Sequence, residues 1–324
     1  ELYYDRELKQ KVSRNSNGHY DSSPDMNQEY ATYYMGVTST GGDNVEPQKT
    51  PVLVGTQIKV YRATNTISIT SCPNIRYGET PQPEIKATDT TGGVKYIYSS
   101  TQGGKYTDWK VENKPGKWYV KATVGKSQNY NEAESIPVEF EVSKAKLVPS
   151  VKAVKSKTYD GNTDAEGTLT LSSADGNPIL SGDAAALETK GTFTWTSKEA
   201  GTDTVNVAGI TLNEEFADRY VLTVTELQNI SCDAKITNAK LSDVDVKQLY
   251  DLTYTGNPQQ PETQSTGNTV DNTAITFHYG LTAEQAANEN EWLNYVPAFT
   301  DAGTYTVYYT ASAVNHDSVS GSFE

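Results

Sequence analysis

The chain has 324 residues, a net charge of −14 and a hydrophobic fraction of only 35%, with 22 Tyr against 6 Phe and 2 Met. Its length suits about two to four domains, each with a thin core. The acidic balance disfavours nucleic acid and anionic lipid as partners, and no stretch approaches the roughly 18 apolar residues of a membrane span.

Abundant Tyr, Thr, Ser, Val and Gly favour half-exposed strands joined by turns over helices. The opening residues "ELYYDRELKQ" carry neither a basic n-region nor an apolar h-region, so an export signal is expected to be missing or already removed. Strand-like sequence at both ends is what a segment cut from a longer polypeptide would show.

A repeat organises the chain from its start. The first module, 1–66, opens on "YDRELKQKV" at Tyr4, continues through "ATYYMGV" at 31–37 and Asn44-Val45, and leaves by the connector "IKVYRATNTIS". The second, 67–147, has "YGETPQPEI" at Tyr77, "GKWYVKATV" at 116–124, Asn129-Tyr130 and the connector "FEVSKAKLVPS". The third, 148–241, has "YDGNTDAEG" at Tyr159, "AGTDTVNV" at 200–207, Asp218-Arg219-Tyr220 and the connector "AKITNAKLSDV". The fourth, 242–324, has "YTGNPQQPE" at Tyr254, "AGTYTVYYTA" at 302–311 and Asn315-His316.

Within modules, runs such as "WYVKATV" and "TVYYTAS" alternate as strands do, and "TGGV", "TQGG", "ADGNP" and "TGNP" read as turns. The connectors hold almost no Gly or Pro. These signals predict an all-β fold, tandem immunoglobulin-like β-sandwich modules arranged as an elongated rod. The one helix-like stretch, "LTAEQAANENEWL" at 281–293, reads as a short polar insertion in the fourth module.

In the third module Asp160, Asn162, Asp164 and Glu166 alternate like the start of a calcium loop. The counterparts in the second module are Gly78, Thr80, Gln82 and Glu84, and in the fourth Thr255, Asn257, Gln259 and Glu262, so only one copy carries the oxygen set. Ala165 and Leu171 stand where such a loop needs its turn Gly and its bidentate Glu. What the copies share is a Tyr, a turn residue and polar residues entering a strand. The expected element is a strand ending in a tight turn, with Tyr packed on the sandwich and Gly in the left-handed region. A calcium site stays the other reading.

"KTYDGNTDAEG", "LSGDAA", "KEAGTDTVNVAGITL" and "DRYVLTV" occur in that order over about 148–241. This region resembles the bacterial surface module named for its Tyr-Asp-Gly motif. On "YTGNPQQPE", "DAGTYTVYYTASAVNHDSV" and the "SKAKL" and "TNAKL" linkers, the second and fourth modules resemble related immunoglobulin-like repeats of large Gram-positive surface proteins. The first module departs from the pattern, with Arg6 at the turn Gly and no aromatic in Asn44-Val45. The resemblance implies an exported, extracellular protein of a bacterial cell surface or cell wall, an adhesin or the stalk of one. It brings no catalytic residues. Lys-to-Asn or Lys-to-Asp isopeptide cross-links, assisted by a buried acid, occur in Gram-positive surface domains; this sequence has the residue types and no motif that picks out a trio.

Candidate chemistry is sparse. His19, His278 and His316 lie in different contexts, and no nucleophile elbow, P-loop or zinc motif occurs. Neither an enzyme activity nor a cofactor or metal is expected of this segment. Cys72 and Cys232 are expected to be small buried residues. Trp109, Trp195 and Trp292 each precede the "G-x-[YWD]" strand region of their module and read as packing, with sugar stacking the alternative.

From residue 242 onward eleven acids face one base, Lys247. That balance reads as the solubility of an exposed surface. The fourth module is the candidate for ligand contact because it carries an extra acidic insertion, Trp292 and a Tyr-rich strand with Tyr305, Tyr308 and Tyr309. Alternation puts Tyr305 and Tyr309 on one face and Tyr308 on the other. Two functions follow as expectations. One is a non-catalytic adhesive stalk, monomeric and without membrane insertion in this segment. The other is a set of ligand-binding modules, for a host glycan or extracellular protein, accessory to a secreted carbohydrate-active enzyme.

Overall fold

The computed structural model describes residues 1–17, 20, 28–41, 43, 46–55, 57–174, 176 and 178–324. Two expectations, the Asn44-Val45 landmark and His19, lie outside the described residues. The fold is all-β apart from helical turns at Ser181–Ala184, Glu214–Phe216 and Ala283–Ala287. The chain forms two compact units, one of Glu1–Ala145 with Asp218–Tyr220, the other of Lys146–Ala217 with Val221–Glu324.

In the first unit, strand Tyr30–Val37 pairs with Leu2–Tyr3, Val52–Leu53 and Ile58–Tyr61, and its alternation sends Ala31 and Tyr33 onto Val12. Among the described residues this first region holds a single sheet. The ring buried at its start is Tyr3, at 2% exposure, while Tyr4 is half exposed. The left-handed residue of its opening turn is Leu8, not Arg6, because Asp5 carboxylate oxygens accept from the Lys9 and Gln10 amides and close the loop later.

The larger sheet of this unit is built around Gly116–Val124. That strand is flanked by Val94–Ser99 on one side and by Val138–Ser143 and Ala133–Glu134 on the other. Period two points Val120, Ala122 and Val124 into the core. The pair Ile67–Ser71 and Glu84–Ala87 covers one end of that core. Tyr98, Trp109 and Phe140 fill the other with tilted and edge-on rings. Ile75–Arg76 then runs parallel to Val142 and Ser143, the end of the last strand.

The second unit repeats the plan twice. In its first part, Gly167–Ser173 pairs with Ala145–Val154, and Thr189–Trp195 and Leu227–Ser231 flank Thr204–Leu212. Tyr159, Phe193, Trp195, Val205, Val207, Ile210 and Ile236 meet between the layers. Val205, Val207 and Ile210 break strict alternation because Gly209 adopts φ +63 and the register shifts opposite Gly191, a bulge only a residue without Cβ makes cheaply. Lys157–Thr158 runs parallel to Ile236–Thr237, as in the first unit.

In the second part, Ser242–Gln248 pairs with Thr263–Asn268, and Thr276–Gly280 and Val319–Phe323 flank Val307–Ser312, enclosing Val246, Tyr279, Val296, Val307 and Tyr309. The helix expected over 281–293 is confined to Ala283–Ala287. Thr282 caps it by accepting from the Gln285 amide, and the Asn288 side chain accepts from the Asn290 amide, which competes with further helix. The connectors are as tight as their sequence implies. One residue, Lys144, separates Val138–Ser143 from Ala145–Val154, and Asn238 and Leu241 are the only breaks between Ile236 and Gln248.

Candidate functional site

The turn after Tyr159 resolves the alternating acids. Gly161 sits at φ +80 and Gly256 of the fourth module at +75, while the second module places its left-handed glycine one residue earlier, at Gly78 (φ +91), so the shared feature is a left-handed turn glycine. Lys157 brings its ammonium to Asp160 Oδ1 at 2.7 Å, Asn162 Oδ1 at 2.7 Å and the Asn162 carbonyl at 3.0 Å. Asn162 Oδ1 also accepts from the Asp164 amide, and Glu166 turns away to pair with Lys155 at 2.7 Å. The oxygens that looked like a calcium set thus diverge, and the nearest of them already surround a lysine. Among the described residues no group of three or more His, Cys, Asp or Glu comes together as a metal set would.

The tyrosine itself does more than pack on its own sandwich. Its hydroxyl donates to Asp271 Oδ2 at 2.7 Å, and its ring meets His316 edge-on, with centroids 5.6 Å apart. Asp271 also accepts from the Thr273 hydroxyl and amide, and these bonds, the Tyr159 bond first, hold its carboxyl down at about 2. The same Tyr159–Asp271 bond, followed by burial, raises the tyrosine pKa.

His316 is 5% exposed; its Nδ1 lies 2.8 Å from the Val314 carbonyl and its Nε2 accepts from the Val270 amide. A neutral ring protonated on Nδ1 satisfies both. Ala239 in the connector pairs in parallel with His316, and Asn315, left-handed at φ +63, accepts from the Ala200 amide through its side chain.

The first unit contains matching contacts. Tyr77 meets Tyr220 edge-on at 5.3 Å. Ala63 pairs in parallel with Tyr130, the position His316 fills in the second unit. Buried Arg62 donates through Nε to the Ser127 carbonyl at 2.8 Å and through its terminal nitrogen to the Gln28 carbonyl. In the second and third repeats the turn tyrosine, Tyr77 or Tyr159, therefore meets the aromatic of the next repeat's third landmark. Asp271 shares an Asp-x-Thr turn with Asp89 of the second repeat, whose carboxylate accepts from the Thr91 amide and hydroxyl, but nothing in the sequence marks Asp271 as the partner of Tyr159.

The four residues singled out for ligand contact separate. Tyr309 is 5% exposed within the core, which corrects its assignment: Val307, Tyr309 and Ala311 are the inward face of their strand. Tyr308 lies half-buried on the other face. Trp292 stacks flat on His278, centroids 3.6 Å apart. Tyr305 stacks on Phe299 at 4.1 Å and donates to the Asp301 carbonyl. Tyr305 also lines a cleft of about 380 Å³ with Leu252, Tyr254, Asp301 and Gly303.

Of the other tryptophans, Trp195 is 2% exposed and Trp109 packs in its core, donating to the Glu79 carbonyl at 2.9 Å. Both cysteines are half-buried against cores rather than fully buried, and burial pushes the Cys72 thiol up to about 11. No described helix is long and apolar enough to cross a membrane.

Residues 143–227 match the family model of the YDG domain. No curated protein matches the chain. Among solved structures, Drosophila N-cadherin EC1-4 is similar, with 11% identity and a TM-score of 0.22 over 96% of this chain and 87% of that one. The Sidekick-1 immunoglobulin domains 1-5 are similar too, with 10% identity and a TM-score of 0.26 over 91% and 66%.

Proposed function

We propose that this chain is a non-catalytic structural and adhesive segment of a bacterial cell-surface protein, a semi-rigid stalk of β-sandwiches. The observation that carries this reading is the recurrent joint. The turn tyrosine of one repeat meets the aromatic of the following repeat in both units, as Tyr77 with Tyr220 and Tyr159 with His316. Linkers of one residue and joints closed by buried rings restrict bending between neighbours, which is what a spacer requires.

An extracellular, cell-wall location belongs to the same proposal and rests on the motif resemblance of residues 148–241. Small-angle scattering tests the reading. The expected radius of gyration lies well above the roughly 20 Å of a compact globule of this length, and a value near 20 Å overturns it.

A second reading rests on two ring stacks of 242–324. Half-buried Trp292, backed by the buried His278, and Tyr305, backed by Phe299, offer flat ring surfaces of the kind that stack on sugars. In this reading the modules bind a glycan or an extracellular protein beside a carbohydrate-active enzyme. A glycan array decides it: binding lost on Trp292→Ala supports it, and no binding at all removes it.

A further inference from the structure

The joint between the third and fourth repeats differs from its neighbours in one chemical respect. Where the second and third repeats bring Tyr130 and Tyr220 to the preceding repeat, the fourth brings His316. An imidazole changes charge between about pH 5 and 8, and a phenol does not.

The residues around that ring close the joint. The His316 ring lies edge-on to Tyr159, with Nδ1 against the Val314 carbonyl and Nε2 accepting from the Val270 amide at 3.3 Å. The Asn315 carbonyl accepts from the Ala239 amide at 2.9 Å. Its side chain accepts from the Ala200 amide at 3.0 Å and donates to the Glu199 carboxylate. Tyr159, Glu199, Ala200 and Ala239 all belong to the third repeat, so these contacts cross from one sandwich to the next.

That arrangement needs a neutral ring. With Nδ1 already protonated, an arriving proton goes to the Nε2 lone pair, the one that accepts from Val270. Donor then faces donor, the Val270 bond is lost, and a cation sits where the ring is 5% exposed. The acids nearby are committed elsewhere. Asp271 accepts from Tyr159 and from the Thr273 amide and hydroxyl, so an imidazolium turning to it would displace one of them. Glu199 is engaged by Asn315. Asp317, on the strand of His316, accepts from the Asn238 side chain at 3.2 Å and lies opposite Lys240, the nearby base.

We infer that His316 is an acid-sensitive latch: a proton on Nε2 opens the joint between the third and fourth repeats while each sandwich stays folded. His316 belongs to neither core cluster, and the core side chains of both repeats keep their charge state in this range. The inference rests on the joint that carries the stalk reading. Scattering at neutral pH tests the stalk, and the experiment below tests the latch alone.

The test is amide hydrogen exchange by NMR at about pH 7.5 and about pH 5, each rate taken relative to the unstructured chain at the same pH. Protection of the Val270 and Ala239 amides is expected to fall about tenfold or more on acidification, as loss of a net hydrogen bond implies. The midpoint should match the titration of the His316 ring nitrogens in the same sample. The Trp195 and Tyr279 amides, bonded to the Thr163 and Leu293 carbonyls, should stay protected and report intact sandwiches. His316→Tyr, which installs the residue of the second repeat, is expected to keep Ala239 protected at both pH values, and Asp271→Asn to retain the wild-type fall. Wild-type Val270 and Ala239 that stay protected at the lower pH overturn the inference, as does a fall confined to Val270. A midpoint apart from that of the His316 ring overturns it without any variant. So does a fall that persists in His316→Tyr or vanishes in Asp271→Asn.

Discussion

Tyr159 illustrates how one side chain serves two neighbours. Its ring belongs to the core of its own sandwich while its hydroxyl holds Asp271. An aspartate whose pKa falls from about 3.9 in the unfolded chain to about 2 in the folded one adds stability above the higher value. It forfeits that stability as pH drops through the lower one. Acidification from neutral pH toward about 2 should therefore lower the unfolding midpoint more in the wild type than in Asp271→Asn, measured by circular dichroism. Tyr159 acts at the other end: its raised pKa means its contribution is kept below about 10 and lost as pH climbs beyond. Gly161 makes a separate case. A Cβ there would meet only Asp271 Cβ at an ordinary 3.6 Å, so Gly161→Ala should cost about 1 kcal/mol through left-handed backbone alone. Gly161→Asn should cost less, by denaturant unfolding.

Strands and turns were the most legible elements. Alternation located Gly116–Val124 and Val307–Ser312, because a strand with one face in the core must place its apolar residues two apart. The same rule read too far made Tyr305 a member of the latter strand, which begins at Val307, while the Tyr305 ring turns to Phe299. Helix length was overestimated because a composition of Ala, Glu and Gln hides the Asn288 side chain that ends the helix. The calcium-like spacing failed for a related reason. Alternation implies a common face only where the chain is extended, and Gly161 bends it. Calcium is expected to leave the melting temperature of the wild type unchanged, since Lys157 already fills the nearest oxygen set. An increase on adding calcium would refute that. Within the 204–212 strand, Val207 is fully buried, and Val207→Ala should cost about 1–3 kcal/mol in equilibrium unfolding.

For the molecule as a whole, the landmarks along the chain already implied a series of sandwiches, since each copy had its own strand set and its own aromatic core. The joints stayed hidden because they link residues far apart in sequence whose types are ordinary within each copy. Nothing marks Tyr159 as facing His316 until the fold brings them together. The parallel strand pairs near the start and end of the second and third repeats have a mechanical consequence. Pulling such a sandwich by its two ends loads the hydrogen bonds between Lys157–Thr158 and Ile236–Thr237 all at once, along the strands. Bonds arranged this way must slide and break together, whereas a hairpin under tension opens one bond at a time. A protein that has to hold while its anchor and its target are dragged apart gains from that arrangement, even though each individual bond is no stronger than any other.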